Sequence, residues 1–224
     1  MNKKYLITSG CSYTRGTLEQ KPWPYYLAKL MNRELINKAD EGKGNYYISN
    51  QVYSTVADFK YNSSNTKVVI MWSGVDRRDS YYEGEWISIT YEKSYLEYHT
   101  IMDSYLQSLQ YIIGVQEFLN NRDIPYLFLT YRNIFDLDKD DVDYRYRWCS
   151  FPLGWNKSSV SNTDIPLIKQ TSKLIDWNKF HFHKSTFGMD EWVKDNNLGI
   201  GNDNHPIEVA HKEYAEYLHN LNLI

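Results

Sequence analysis

Residues 6–16 of the 224-residue chain read LITSGCSYTRG, and this stretch decides the fold class. Its apolar run, which we predict to be a strand over Tyr5–Thr8, ends at a glycine turn and is followed at once by Ser12. Such a short buried run is typical of a parallel strand that is covered on both faces. The small hydroxyl residue after it is either part of an ordinary turn or a nucleophile presented at the carboxyl end of the strand.

The alternation of short apolar runs with longer periodic segments continues along the chain. The clearest run, KVVIMW at Lys67–Trp72, is rich in β-branched residues, as expected of a strand with both faces buried. The other predicted strands are Glu34–Asn37 and Tyr126–Tyr131, and the predicted helices are Pro22–Leu30, Tyr46–Phe59, Ser94–Asn121 and Ile207–Leu221. This order predicts an α/β protein with a mostly parallel sheet of about five strands.

Length and composition fit a single domain over residues 1–224, with 42% hydrophobic and 24% charged residues. The Tyr-, Gly- and Glu-rich segment 79–92 is predicted to be an insertion or lid, and 136–200 an irregular excursion with one or two short helices. The 21 Tyr and 7 Trp are typical of surfaces that bind sugars or partners, and equally of core packing.

Charge and cysteine usage exclude several function classes. A net charge of −3 with scattered Lys and Arg gives no basic patch for nucleic acid. Cys11 and Cys149 have no metal-like spacing, and the Cys11 thiol is expected to point into the sheet. The pair His181 and His183 lacks further ligands, so we predict no metal and no cofactor. Without a signal peptide or a membrane span, we expect a cytoplasmic protein.

Three of the predicted strands end in small or polar residues. Ser12 follows the first strand, Gly42 the second and Ser73–Gly74 the third. Right-handed crossovers bring the carboxyl ends of parallel strands to one edge, where open α/β sheets bind their ligands. Arg77 and Arg78 fall at this edge, where they either bind a substrate carboxylate or phosphate or pair with neighbouring acids.

The C-terminal segment supplies a candidate base for Ser12. It reads GNDNHPIEVAH over residues 201–211, with His205 just before a proline and the last predicted helix. A serine attacks an acyl carbon only if a base accepts its proton, and that base is usually a histidine oriented by a carboxylate. Asp203, two residues before His205, is the predicted orienting residue.

Four motifs resemble, in their order and placement, those of the SGNH/GDSL hydrolase family: Gly10-Cys11-Ser12, Gly42, the WSGVDRR block at 72–78 and Asp203-Asn204-His205-Pro206. The resemblance leaves most of 79–200 unmatched. It implies a flavodoxin-like three-layer α/β/α sandwich and hydrolysis of an ester, often of an acyl group on a sugar or lipid. Ser12 then resembles the nucleophile and first oxyanion donor, His205 the base and Asp203 its orienting residue.

The resemblance also implies further oxyanion donors, and here the chain departs from the family. Gly42 resembles the second donor through its backbone N–H, with Gly44 as the alternative. The family's third donor is an asparagine side chain, whereas the corresponding Val75 cannot donate. Either Ser73 or Asn45 substitutes for it, or the third donor is absent.

A second departure concerns the orienting residue. The family's acidic residue commonly lies three positions before the histidine, where this chain has Asn202, so that either Asp203 or Asn202 orients His205. Candidate substrate contacts at the same edge are Trp72, Arg77 and Arg78.

The sequence therefore predicts a serine ester hydrolase that acts on a small-molecule or glycan ester, with a carbohydrate O-acetyl group as the first choice. The alternative is a protein with the same fold that acts without catalysis in glycan binding or assembly, which Val75 favours. A nucleotide-binding protein is a weaker interpretation, because the TSGCSYT loop carries the bulky Tyr13 and has no phosphate-binding lysine. The oligomeric state stays open.

Overall fold

The computed structural model describes residues 3–17, 19–90, 101–135 and 164–224. The strands in these ranges are β1 (Tyr5–Ser9), β2 (Glu34–Asn37), β3 (Thr66–Trp72), β4 (Asp79–Tyr82), β5 (Glu85–Ser88) and β6 (Tyr126–Thr130). The helices are α1 (Ser12–Arg15), α2 (Trp23–Leu30), α3 (Asn45–Val56), α4 (Ile101–Asn120), α5 (Asp164–Ser172), α6 (Met189–Asp195) and α7 (Glu208–Asn220).

The central sheet is parallel, with the strand order β2-β1-β3-β6. Beyond β6, Phe180 forms a single parallel bridge with Phe128, and the N–H of His181 donates to the Phe128 carbonyl at 2.9 Å. This bridge stands where a fifth strand would continue the sheet, which confirms the predicted mostly parallel arrangement. From β1 the chain adds β2 on one side of the sheet and then β3 and β6 on the other side. A ligand site is expected beside the carboxyl ends of β1 and β3, where this change of side occurs.

Helices cover the sheet on both faces, as the sequence predicts. Helix α3 packs on β1 and β3 and against α4, whereas α2 packs against α7. The inward side of α3 carries Ile48, Val52 and Val56, all fully buried at helical spacing. Helix α2 begins directly after Pro22, with another proline in its first turn, where a missing N–H costs no hydrogen bond. The result is a three-layer α/β/α sandwich.

Several boundaries differ from the predictions by one residue, and the end of α3 and the segment 79–92 differ more. Helix α3 ends at Val56, three residues before Phe59, whose side chain is 87% exposed and therefore gains nothing from a longer helix. The segment 79–92 is mostly an antiparallel hairpin of β4 and β5. Of the predicted excursion 136–200, residues 136–163 lie outside the described ranges, as do residues 94–100 of the predicted helix Ser94–Asn121.

The described part of the excursion, residues 164–200, holds two short α-helices, α5 and α6. Over residues 3–17, 19–90, 101–135 and 164–224, no helix combines the length and the apolar character needed to cross a membrane.

Candidate active site

Ser12 and His205 are in direct contact although they lie 193 positions apart in the chain. The Nε2 atom of His205 is 2.7 Å from the Oγ atom of Ser12. Ser12 is the first residue of α1, just past the carboxyl end of β1, and His205 lies in the turn before α7. The His205 side chain is 29% exposed, so the pair is accessible to a substrate from solvent.

The turn that presents Ser12 depends on a close approach of main chain and side chain. A Cβ atom at Gly10 would lie 2.2 Å from Oγ1 of Thr14, so only glycine lets α1 fold back over the end of β1. The Cys11 carbonyl accepts the N–H of Thr14 at 2.9 Å, and the Asn37 side chain donates to the Thr14 carbonyl at 2.9 Å. These contacts tie α1 to the ends of β1 and β2.

Asp203 contacts both the ring and the main chain of His205. The Nδ1 atom of His205 lies 3.0 Å from the Asp203 carbonyl oxygen and 3.4 Å from its carboxylate. The carboxylate also accepts the His205 N–H at 3.1 Å. Because Nδ1–H donates to oxygen acceptors, Nε2 is left as the acceptor for the Ser12 hydroxyl. Asn202 is exposed, and its side chain makes no hydrogen bond within the described part of the chain.

Two of the predicted oxyanion donors are already engaged. The N–H of Gly44 donates to both carboxylate oxygens of Asp79, at 3.0 and 2.9 Å. The Asn45 side chain accepts the N–H of Ser73 at 2.8 Å and donates to the Ser73 carbonyl and to Ser108. Gly44 and Asn45 therefore hold the start of α3 to neighbouring elements, and the prediction that they serve as oxyanion donors is wrong for this arrangement.

The carboxylate of Asp79 binds the main chain at the start of α3. Its carboxylate is buried, and it also accepts the N–H of Tyr47 at 3.1 Å. Burial raises the pKa of the Asp79 carboxyl, and the hydrogen bonds from Gly44 and Tyr47 oppose that rise. The hairpin that carries Asp79 is thereby joined to the N-terminus of α3.

The backbone N–H groups of Ser12 and Gly42 are in a different situation. Across the described ranges, neither of them donates a hydrogen bond to another group. Gly42 is exposed with φ +69°, a conformation that glycine adopts without strain. Arg15 joins the turn of Gly42 to α1, since its Nη1 is 2.9 Å from a Glu41 carboxylate oxygen and its Nε is 3.5 Å from Asp40.

The third donor position carries an apolar side chain. Val75 is 9% exposed just past the end of β3. The hydroxyl of Ser73 is buried and has no hydrogen-bond partner among the described residues, and the Ser73 N–H is the group that Asn45 engages. Of the residues considered for the third donor, Val75 cannot donate, the Asn45 amide is engaged, and the Ser73 hydroxyl is left without a partner among the described residues.

Two predicted substrate contacts are wrong. Trp72 is fully buried, with its ring edge-on to Phe128 at 5.5 Å between ring centres. Arg78 is buried as well, and its guanidinium donates to Asp103 at 3.2 Å and to Ser104 at 3.2 Å on α4. Both side chains belong to the packing between the sheet and its flanking elements, so neither reaches a substrate.

Arg77 remains half-buried at the predicted edge. Its guanidinium carbon lies 5.8 Å from the ring centre of Tyr131, and that of Arg132 lies 4.5 Å from the same ring. Tyr131 in turn packs edge-on against Tyr13 at 5.2 Å. Arg77 thus joins a cluster of rings and cations near Ser12.

Sequence reasoning missed Tyr13, which follows Ser12 directly. Its side chain is 4% exposed, and its hydroxyl lies 3.2 Å from a carboxylate oxygen of Asp190 and 3.2 Å from the Asn204 carbonyl. Its ring centre is 5.2 Å from that of His205. Burial, followed by the charge of Asp190, raises the pKa of the Tyr13 hydroxyl, which therefore stays protonated. In the sequence, the feature that could have pointed to Tyr13 is its position directly after Ser12.

The histidine pair considered as a metal site is engaged elsewhere. His181 Nε2 lies 2.8 Å from the Tyr217 hydroxyl, and His183 Nε2 lies 2.9 Å from Asp195. Within the described ranges, no group of three or more His, Cys, Asp and Glu side chains is arranged to hold a metal ion.

Neither a protein-family model nor a curated protein matches this sequence. Among solved structures, the protein TesA is 15% identical with a TM-score of 0.54, over 99% of this chain and 100% of that one. A member of the lipolytic G-D-S-L family from Veillonella parvula is 12% identical with a TM-score of 0.50, over 98% of both chains. The chain has the fold of the GDSL lipolytic proteins.

The same GDSL fold occurs in a carbohydrate esterase family 2 enzyme with a carbohydrate-binding domain from Corynascus thermopiles. That enzyme is 16% identical with a TM-score of 0.50, and the match covers 98% of this chain and 65% of that one. At such identities the GDSL fold is what the proteins share, and the chemistry has to be argued from the side chains of this chain.

Proposed function

We propose that this protein is a serine ester hydrolase in which Ser12 is the nucleophile and His205 the general base. The observation that carries the proposal is the 2.7 Å contact between Ser12 Oγ and His205 Nε2. That separation allows direct proton transfer from the hydroxyl to the imidazole as Oγ attacks the ester carbonyl carbon. Asp203 holds the ring in the required tautomer and stabilises the imidazolium that forms.

The reaction then proceeds in two halves. Collapse of the first tetrahedral intermediate breaks the ester C–O bond, and the alcohol leaves with the proton held by His205. The acyl group stays on Ser12 as an ester. Water, deprotonated by His205, attacks this acyl-enzyme, releases the carboxylic acid and restores the Ser12 hydroxyl.

We propose the backbone N–H groups of Ser12 and Gly42 as the oxyanion donors. They are supported by the hydrogen-bond pattern, because the N–H groups of Gly44 and Ser73 are engaged by neighbouring side chains. With Val75 at the third position, one donor is missing. Removal of one such donor typically lowers the rate ~10²–10³-fold, so we expect a slow enzyme or one that needs a well-fitting substrate.

For the substrate we propose an acetyl group on a carbohydrate. The hairpin of β4 and β5 exposes Tyr81 and Tyr82 by 58% and 61% of their surface, and such rings present flat apolar faces to a ligand. Lys43, the neighbour of Gly42, donates to the Trp86 carbonyl in this hairpin at 2.8 Å. The exposed rings are therefore attached to the turn that carries the proposed second oxyanion donor.

The second candidate function is glycan binding without catalysis, and Val75 is the observation that favours it. A site without a complete set of oxyanion donors still retains its surface aromatic side chains. Glycan binding that persists in Ser12→Ala, together with no turnover of any acetyl ester, would support this second function.

The test is hydrolysis of p-nitrophenyl acetate and release of acetate from acetylated xylan. We expect turnover by the wild type, none above background by Ser12→Ala, and unchanged turnover by Ser54→Ala, an exposed serine on α3. Acetyl esters should be preferred to octanoyl esters. Equal rates in wild type and Ser12→Ala would overturn the proposed mechanism.

A further inference from the structure

The turn that carries His205 is closed mainly on itself. The N–H of Gly201 donates to the His205 carbonyl at 2.8 Å, and the N–H of Asn204 donates to the Gly201 carbonyl at 3.0 Å. Among the described residues, only two hydrogen bonds join residues 201–205 to the rest of the protein. One links His205 to Ser12, and the other links the Asn204 carbonyl to the Tyr13 hydroxyl.

The Tyr13 hydroxyl is itself held by a second element. Its other acceptor is Asp190 in α6, and the second carboxylate oxygen of Asp190 accepts Lys194 at 2.8 Å. The Asp190 main-chain N–H donates to the Tyr131 carbonyl at 2.7 Å, which ties α6 to the end of β6. The single phenolic proton of Tyr13 thus lies between two acceptors at equal distance, one in α6 and one in the His205 turn.

We propose that Tyr13 is a positioning residue that keeps the His205 turn docked on α1 and α6, so that Nε2 stays within reach of Ser12. The inference rests on the proposed function. Ser12 and Tyr13 are consecutive residues of one short helix, so both contacts to the turn originate from the same element. Tyr13 is buried and acts through Asn204, the residue directly before His205.

The catalytic cycle makes this second contact necessary. When Ser12 becomes acylated its hydroxyl proton is gone, and the Ser12–His205 hydrogen bond no longer holds the turn. The contact between Tyr13 and Asn204 then remains as the hydrogen bond that fixes the base for the attack of water. Loss of the hydroxyl should therefore slow deacylation, which lowers kcat and, because acyl-enzyme accumulates, lowers KM with it, so that kcat/KM changes little.

The kinetic test compares Tyr13→Phe with Tyr105→Phe. Tyr105 is a matched control, since it is also buried and its hydroxyl donates to a main-chain carbonyl, that of Phe135, at 2.9 Å. We expect kcat for an acetyl ester to fall roughly fivefold to twentyfold in Tyr13→Phe while kcat/KM stays within about twofold, as for a catalytic group that is slightly misplaced in the acyl-enzyme. The control should keep the wild-type kcat. A Tyr13→Phe variant with wild-type kcat would overturn the inference.

A second measurement does not depend on activity. Amide hydrogen exchange of Gly201 and Asn204 reports how often the turn opens, because both N–H groups are bonded within it. We expect exchange there to be about fivefold or more faster in Tyr13→Phe than in wild type or Tyr105→Phe, with the exchange of α4 unchanged. Unchanged exchange in the turn would refute the role of Tyr13. Absence of wild-type turnover together with faster exchange would refute the proposed function alone.

Discussion

Replacement of His211 by asparagine tests whether burial lowers the pKa of this histidine and so makes the protein less stable at acidic pH. His211 is 2% exposed in α7, and its Nδ1 accepts the N–H of Trp23, the first residue of α2, at 3.3 Å. Burial, assisted by the neighbouring charge of His205 and opposed by Glu208, lowers the pKa of His211 to about 4. The ring is therefore neutral in the folded protein at any pH above this value.

The magnitude follows from the difference between the folded and unfolded pKa values. An unfolded histidine titrates near its ordinary pKa of 6.5, so between pH 6.5 and about 4 the unfolded chain binds a proton that folded His211 does not. The contribution of His211 to the free energy of unfolding is therefore complete above pH 6.5 and decreases as the pH falls. At 1.36 kcal/mol per pKa unit, the decrease amounts to about 3 kcal/mol by pH 4.

The assay is urea unfolding, followed by tryptophan fluorescence, of wild type and His211→Asn from pH 7.5 to pH 4. Asparagine keeps an acceptor for the Trp23 N–H but does not titrate. The decrease in unfolding free energy over this range should be about 3 kcal/mol smaller in the variant, because the carboxylates contribute equally to both proteins. Parallel curves for the two proteins would refute the reasoning.

Three further changes test other parts of the site. Val75→Asn places an amide at the third donor position and should raise kcat for an acetyl ester about tenfold or more in steady-state assays, and an unchanged kcat would contradict the proposed oxyanion hole. Asp203→Asn should lower kcat only about tenfold, well short of the ~10⁴-fold loss seen where a carboxylate alone orients the base, because the nearer partner of His205 Nδ1 is a main-chain carbonyl. Asp79→Ala should lower the free energy of unfolding in urea by about 2 kcal/mol, because buried N–H groups of Gly44 and Tyr47 lose their acceptor, and a change below about 0.5 kcal/mol would count against this account.

Hydrophobic pattern alone predicted the sheet well. The predicted runs Glu34–Asn37 and Lys67–Trp72 agree with β2 and with β3 to within one residue. Both runs are short and bounded by polar residues; β3 is almost wholly buried, whereas β2 is an edge strand whose residues are exposed or half-buried, so its boundaries follow from its polar flanks. The single bridge at Phe180 was not foreseen, because one paired residue leaves no periodic signal.

The side-chain environment at the site could not be predicted in the same way. Trp72 is the last residue of the expected strand and Arg78 lies in the loop after it, yet both are buried, because β3 is covered on both faces and Arg78 pairs with Asp103. Likewise the sequence allows Gly44 as an oxyanion donor, but its N–H donates to the carboxylate of Asp79, which lies 35 positions later. Such long-range pairings depend on tertiary packing, which a local pattern does not encode.

The roles of neighbours in the His205 turn were only partly accessible. The sequence offered Asp203 and Asn202 as alternatives, and spacing alone does not tell which side chain turns back toward the ring. The contact of Tyr13 with Asp190 spans 177 positions and depends on where α6 lies. A tyrosine after a serine predicts no such partner.

The most direct test of the account is covalent labelling of the protein with a fluorophosphonate, followed by peptide mass spectrometry. An activated serine attacks this reagent through the same proton transfer that the 2.7 Å contact with His205 permits. We predict one adduct per chain, on Ser12, absent in Ser12→Ala and formed far more slowly in His205→Ala. Wild-type protein that stays unlabelled, or that labels equally well after Ser12→Ala, would contradict the claim that these two residues form a catalytic pair.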